Sequence, residues 1–292
     1  MNVNLYDTEI KIKELGCAHG HAPATPIPKS VNIFVKVTNA CNARCKFCSN
    51  ANHTKSIDSF NHEKFWEVVA ELQRQKIRVN RINITGGEPS IALETVHEIL
   101  GRAEDYVLPH LHLNTNGLLP SSQELMRHKR WDSISISLHH YDINQLSLLY
   151  GIEIPVDVLK FQDIDLYKVN ASCNLIKDFI DSELEVKKMM DFVISLGIPR
   201  LGFVSLMKVN EFCKSHFVDY SEIDFESIPN MYFTESRNRG KDCKCSNYLY
   251  NDKGKILEVY MRNYSNPLYC ESSLIYDGEY FRQGFHNDNI II

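Results

Sequence analysis

No run of apolar residues in this 292-residue chain approaches the ~20 that a helix needs to cross a bilayer. The opening stretch, Met1-Asn-Val-Asn-Leu-Tyr-Asp7, lacks the charged-then-apolar pattern of a secretory signal. Basic excess is missing too. The formal net charge is -5 and the pI about 6.2, so no overall positive field argues for nucleic acid. Internal repeats and low-complexity tracts are absent. These absences exclude a helical membrane protein and point to a soluble protein of a reducing, anaerobic cytoplasm. The hydrophobic content of 43% suffices for one large core with at most a small appendage.

Cysteine, by contrast, is plentiful: the chain has nine. An odd number suits a reducing compartment, where clustered cysteines are metal ligands more often than disulfides. Three of them form Cys41-Asn-Ala-Arg-Cys45-Lys-Phe-Cys48, directly after the apolar run 31–37. Three thiolates on one loop are one short of a closed tetrahedral zinc site. They suit a cubane iron–sulfur cluster with three irons held by cysteine and the fourth left open. An open iron is a place for a substrate or cosubstrate to bind.

From residue 31 onward, strands and helices alternate. Strand patterns fall at 31–37, 81–85, 111–115, 133–138, 167–175 and 201–207. Helical periodicity is clearest at 63–75, where Phe65, Val68, Val69 and Leu72 share a face, and at 183–196, where Val186, Met189, Met190 and Val193 do. Shorter helices fit 93–103, 121–129 and 142–150. Such alternation predicts parallel βαβ units. Six units are too few for a closed eight-unit barrel. After residue 210 the pattern changes to two hairpins, 248–260 around Asp252-Lys-Gly254 and 274–280 around Asp277-Gly278. The expected organisation is an irregular, proline-rich lead-in over 1–30, a barrel over 31–210 and a small appended domain over 211–292.

The C-x3-C-x2-C loop after a first strand, with an aromatic at Phe47, resembles the signature of the radical S-adenosylmethionine (radical SAM) superfamily. Thr85-Gly86-Gly87-Glu88-Pro89, closing the second strand, resembles that family's Gly-Gly-Glu-Pro motif, which binds the methionine amino group of SAM. The resemblance implies an α/β fold, an open partial (β/α)6 TIM-like barrel, with sites at the C-terminal strand ends. It implies a [4Fe–4S] cluster on Cys41, Cys45 and Cys48 whose open iron is chelated by SAM. By the same resemblance, polar strand-end residues contact SAM: Asn114 on strand three, Ser135 or Ser137 on strand four, Asn174 on strand five, with Leu175 against adenine. Plain packing or turn formation is the alternative for each. Asn116-Gly117 equally suits a turn, His139 and His140 are candidates for the substrate cavity, and Cys173 reads as a small buried hydrophobe.

Cys213, Cys243, Cys245 and Cys270 fall in the C-terminal part. They resemble the ligands of a Twitch/SPASM-type auxiliary cluster domain, although C-x2-C spacing is absent and Cys243-x-Cys245 replaces it. Four thiolates serve either a second [4Fe–4S] cluster or one zinc. Cys17-Ala-His19-Gly-His21 is either a metal clip or a loop.

The implied activity is an oxidoreductase-type radical reaction. SAM is cleaved reductively to a 5′-deoxyadenosyl radical, which takes a hydrogen from the substrate. An external electron donor such as flavodoxin or ferredoxin is expected. Modification of a ribosomally made peptide is the first expectation, since enzymes with auxiliary clusters often act so. Chemistry on a small metabolite or cofactor precursor is the alternative. Within it, the tail faintly resembles the radical cyclase of molybdenum-cofactor synthesis, but the chain ends Asn-Ile-Ile-Ile where that family has Gly-Gly. A non-catalytic zinc or iron–sulfur binding module is the reading from another class.

Overall fold

The computed structural model describes residues 2–5, 8–11, 29–49, 59–106, 110–236, 245–262, 273–283 and 290–291. A hairpin of β1 (Asn2–Leu5) and β2 (Thr8–Lys11) comes first, where the sequence reading expects only irregular chain. The apolar alternation of Val3 and Leu5, with Ile10 opposite, explains it, for all three are buried in the core.

The six expected strands follow as β3 (Ser30–Lys36), β4 (Arg78–Thr85), β5 (His110–Thr115), β6 (Ser133–Ser137), β7 (Val169–Leu175) and β8 (Arg200–Ser205), paired in parallel in that order. Helices α1 (His62–Arg74), α2 (Leu93–Arg102), α3 (Pro120–Met126), α4 (Ile143–Tyr150) and α5 (Glu183–Ser195) intervene. α1 is capped by Asn61, whose side chain accepts the Lys64 amide at 3.0 Å. Its predicted stripe of Phe65, Val68, Val69 and Leu72 is fully buried. The core lies between these helices and the outer sheet face, which carries Ile33, Val35, Ile82, Ile84, Leu111, Leu113 and Ile136, all fully buried.

After the short α6 (Glu211–Ser215) come β9 (Met231–Ser236), β10 (Ser246–Asp252), β11 (Lys255–Arg262), β12 (Ser273–Tyr276) and β13 (Phe281–Gln283). Both predicted hairpins form, and both continue the barrel's sheet instead of making their own. β11 pairs in parallel with β8, Val259 beside Leu201, and β12 in parallel with β3, Leu274 beside Ile33. The ends of a partial barrel expose unpaired backbone, and the hairpins cover it. The result is an 11-stranded sheet in the order β13-β12-β3-β4-β5-β6-β7-β8-β11-β10-β9. It is a partial barrel, not a closed one. Among the described residues no helix is long and apolar enough to cross a membrane.

Candidate active site: a three-cysteine loop at the strand ends

The chain after β3 crosses the C-terminal ends of the parallel strands, and several elements hold it there. Thr38 and Ala40 accept, through their carbonyls, the amides of Gly87 (2.7 Å) and Glu88 (2.8 Å). The amides of Arg44 and Lys46 donate to the carbonyls of Tyr150 (2.8 Å) and Leu149 (3.3 Å) in the last turn of α4. Terminal helix carbonyls ordinarily lack an intrahelical partner, so the cysteine loop caps this helix while the helix fixes the loop. Asn210, the N-cap of α6, donates from Nδ2 to the Lys46 carbonyl at 3.0 Å. Asn116, just beyond β5, donates to Asn42 Oδ1 at 2.8 Å.

This arrangement explains the Gly-Gly pair. A Cβ on Gly86 would lie 2.3 Å from the Thr38 carbonyl oxygen, and one on Gly87 2.0 Å from that of Ala40. Only glycine lets the turn after β4 lie flat against the cysteine loop. The Glu88 carboxylate, 1% exposed, accepts from Thr115 Oγ1 (2.7 Å), the Asn116 amide (2.8 Å), the Ser90 amide (3.2 Å) and Ser122 Oγ (3.3 Å). Burial raises its pKa and the hydrogen bonds it accepts oppose that rise. It braces β4 against β5.

Cys41, Cys45 and Cys48 line one wall of a cavity of about 290 Å³. Gly86 and Gly87 line it too, as do Asn114, Ser137 and Asn174 at their strand ends, with Phe47 and Tyr150. The cysteines are free thiols and half-buried. Burial, then the neighbouring Cys48 and Cys41, push the Cys45 thiol far above its ordinary value. Three thiols close enough to oppose one another's ionisation are the donor set a cationic iron core stabilises as thiolates. Among the described residues no three His, Cys, Asp or Glu side chains converge on a single metal ion; three cysteines spread along one cavity wall suit instead the wider span of a cubane cluster.

His139, 5% exposed, also lines the cavity. Its Nδ1 accepts the Asn174 amide at 3.0 Å, so the neutral ring carries its proton on Nε2. Phe47 packs edge-on against it, centroids 4.6 Å apart. Burial pushes its pKa down to about 3, which keeps it neutral at any working pH. Tyr150 donates to the Ser137 carbonyl at 2.6 Å.

Not every residue singled out in the sequence reaches the cavity. Ser135 lies below it, its hydroxyl accepting from Asn170 Nδ2 at 2.6 Å. Leu175 and Cys173 are fully buried on the opposite sheet face. Cys213 sits in α6 among Leu149, Ile176 and Leu206, completely buried behind the cysteine loop. Cys245, 1% exposed, immediately precedes β10. Cys243, Cys270, Cys17, His19 and His21 lie outside the described residues. Sequence reading missed Ser172 and Tyr150. Ser172 was detectable, two residues before Asn174 on the same strand face, whereas Tyr150 depends on where α4 ends.

The sequence model of the Radical SAM superfamily matches residues 35–159. A protein named probable GTP 3′,8-cyclase from Pyrococcus abyssi is 25% identical over 254 residues, 82% of this chain and 78% of that protein. One of the same name from Saccharolobus solfataricus is 25% identical over 271 residues, 89% of this chain and 84% of that one. Among solved structures, Streptococcus suis SuiB bound to precursor peptide SuiA superposes with a TM-score of 0.50 at 21% identity, over 63% of this chain and 41% of SuiB. A radical SAM methyltransferase from Sphaerobacter thermophilus gives 0.50 at 17% identity, over 66% of this chain and 60% of that one. The chain spans less than two thirds of each of these structures, and the likeness is one of fold.

Proposed function

We propose that this radical SAM enzyme holds its [4Fe–4S] cluster on Cys41, Cys45 and Cys48, binds SAM beside it, and acts on a small metabolite. The observation that carries the reading is a single cavity walled by three thiols, the Gly86–Gly87 backbone and the polar ends of β5, β6 and β7. Bound there, cluster and SAM supply a 5′-deoxyadenosyl radical that removes a hydrogen atom from a substrate C–H bond. The chain's own task is placement and shielding. Asn114, Ser137 and Asn174 offer hydrogen bonds to SAM's ribose and carboxylate, and the Gly86–Gly87 turn offers backbone to its amino group. Phe47 and His139 form a wall against stray water, His139 with one donor, Nε2–H, facing no partner among the described residues.

The metabolite reading takes precedence over the peptide reading. Proteins named GTP 3′,8-cyclase resemble this chain over 82% and 89% of its length, whereas the likeness to SuiB is one of fold. A second iron–sulfur site on Cys243, Cys245 and Cys270 belongs to the proposal. Cys213 suits it least, enclosed as it is by Leu149, Ile176 and Leu206. An external flavodoxin or ferredoxin would deliver the electron. The test is anaerobic reconstitution, then SAM and dithionite, with methionine and 5′-deoxyadenosine quantified. Both form in the wild type and neither in the Cys41/Cys45/Cys48→Ala protein. Absence of 5′-deoxyadenosine from reconstituted wild type overturns the proposal.

A further inference from the structure

A second cavity, of about 590 Å³, lies at the N-terminal ends of the parallel strands, opposite the cysteine loop, where the chain enters β7, β8 and β11. Ile164, Leu166, Ile194, Ile198 and Pro199 form its walls. Tyr167, 82% exposed, and Ile256, 53% exposed, line it too, and both are among the large side chains this protein leaves in water. Concave, mostly apolar space of this size is the usual form of a small-molecule site. Asp165 and Lys255 put one charge of each sign beside it, so no net charge selects an ion.

The cavity opens beside backbone that the sheet leaves unused. The Glu258 amide donates to the Pro199 carbonyl at 3.0 Å, and the pairing of β11 with β8 starts there, Glu258 beside Arg200. Backbone groups alternate in direction along a strand, so the N–H and C=O of Ile256 point toward the β8 side, as those of Glu258 do. They face away from β10, where Asn251 stands opposite Ile256. The next bond back along this parallel ladder would run from the amide of residue 199 to the Ile256 carbonyl. Residue 199 is proline and has no N–H. A partner for the Ile256 N–H would be the carbonyl of residue 197, but Gly197 lies in the left-handed turn after α5, φ 76°, and β8 pairs only from Arg200 on. Pro199 thus ends the ladder early and leaves a donor and an acceptor of Ile256 side by side at the cavity.

We infer that this cavity binds a small, uncharged, largely apolar ring compound with a lactam edge, a ring N–H next to a ring C=O. The ring carbonyl accepts from the Ile256 N–H, and the ring N–H donates to the Ile256 carbonyl. The apolar body fills the space among Ile164, Leu166, Ile194 and Ile198. Such a ligand removes apolar area from water while leaving neither backbone group unpaired. A peptide that adds as a strand needs several such pairs in a row. Here the open edge is one residue long, because Lys255 pairs with Asp252 across the hairpin turn and Glu258 pairs with β8. The inference is independent of the radical SAM reading, since no residue lines both cavities.

The probe is lumiflavin, a neutral tricyclic ring with methyl groups at one end and an N–H between two carbonyls at the other. Reconstituted protein with SAM is brought to equilibrium with it by dialysis in the dark. One lumiflavin bound per chain is the expected result, with equal affinity in the Cys41/Cys45/Cys48→Ala protein. The analogue 3-methyllumiflavin, whose ring N–H is replaced by N–CH3, should bind at least tenfold more weakly. Pro199→Ala supplies the amide that the Ile256 carbonyl lacks, and Ile256→Pro removes an N–H the ladder does not use. Each should weaken lumiflavin binding at least tenfold. Urea unfolding shows whether the variants fold. Should one fail, the other decides, and the comparison of the two flavins needs no variant. No lumiflavin bound, equal binding of the two flavins, folded variants that bind as wild type does, or preferential binding of the capped peptide acetyl-Ile-Ile-Ile-amide would overturn the inference. So would binding lost with the three cysteines, which would place the probe in the other cavity.

Discussion

Replacing Gly87 with alanine tests how the site is assembled. The added Cβ would lie 2.0 Å from the Ala40 carbonyl oxygen, 2.5 Å from its carbon and 2.7 Å from the Asn39 oxygen. All three are backbone atoms and cannot rotate away. The turn and the cysteine loop must separate, breaking the Gly87-to-Thr38 and Glu88-to-Ala40 hydrogen bonds. Two such bonds contribute about 0.5–1.5 kcal/mol each, and overpacking costs about 1–3 kcal/mol. The sum, about 2–6 kcal/mol, is a large part of the roughly 5–15 kcal/mol that holds a domain folded. Gly101→Ala is the control. Gly101 lies within α2 with open space around its missing Cβ, so alanine there should stabilise by about 0.5–1 kcal/mol. Urea unfolding of the apo proteins gives the stabilities, and iron per chain after reconstitution reports the loop. A Gly87→Ala protein as stable as wild type, with full iron, would refute the close-approach argument.

His139 makes stability depend on pH. Its folded pKa, about 3, lies below the ordinary 6.5, so the unfolded chain binds the extra proton. Its contribution is complete above pH 6.5 and is lost as pH falls toward 3. Urea midpoints of the apo protein at pH 5 and 7 should therefore differ less in His139→Gln than in wild type; equal differences would contradict a buried neutral ring. Glu88→Gln sets an amide among groups that all donate to the carboxylate. One donor must then go unmatched, at about 1–3 kcal/mol, seen as a lower urea midpoint with SAM affinity reduced only indirectly. A SAM affinity abolished at unchanged stability would show that Glu88 touches SAM itself.

Much of this molecule is legible in its sequence. The six parallel strands show because their outer faces are mostly apolar, Val, Ile and Leu above all, and α1 and α5 because their apolar stripes are periodic. Cys41, Cys45, Cys48 and the Gly-Gly turn are legible because they fall at strand ends in chain order. Hairpin patterns at 248–260 and 274–280 are equally clear, but not that β11 and β12 join opposite ends of the same sheet, since pairing partners far apart leave no local mark. The surroundings of Glu88 are illegible for a related reason. A carboxylate after Gly-Gly reads as a ligand-binding group, and only the fold shows Thr115, Asn116 and Ser122 converging on it.

The most direct test of the central claim is iron per chain after anaerobic reconstitution, in wild type and in the Cys41/Cys45/Cys48→Ala protein. A cubane cluster on the loop, with a second on the C-terminal cysteines, predicts about eight irons falling to about four. About four falling to none would keep the loop's cluster and remove the second. An iron content the triple substitution leaves unchanged, or zinc in place of iron in both proteins, would contradict the account.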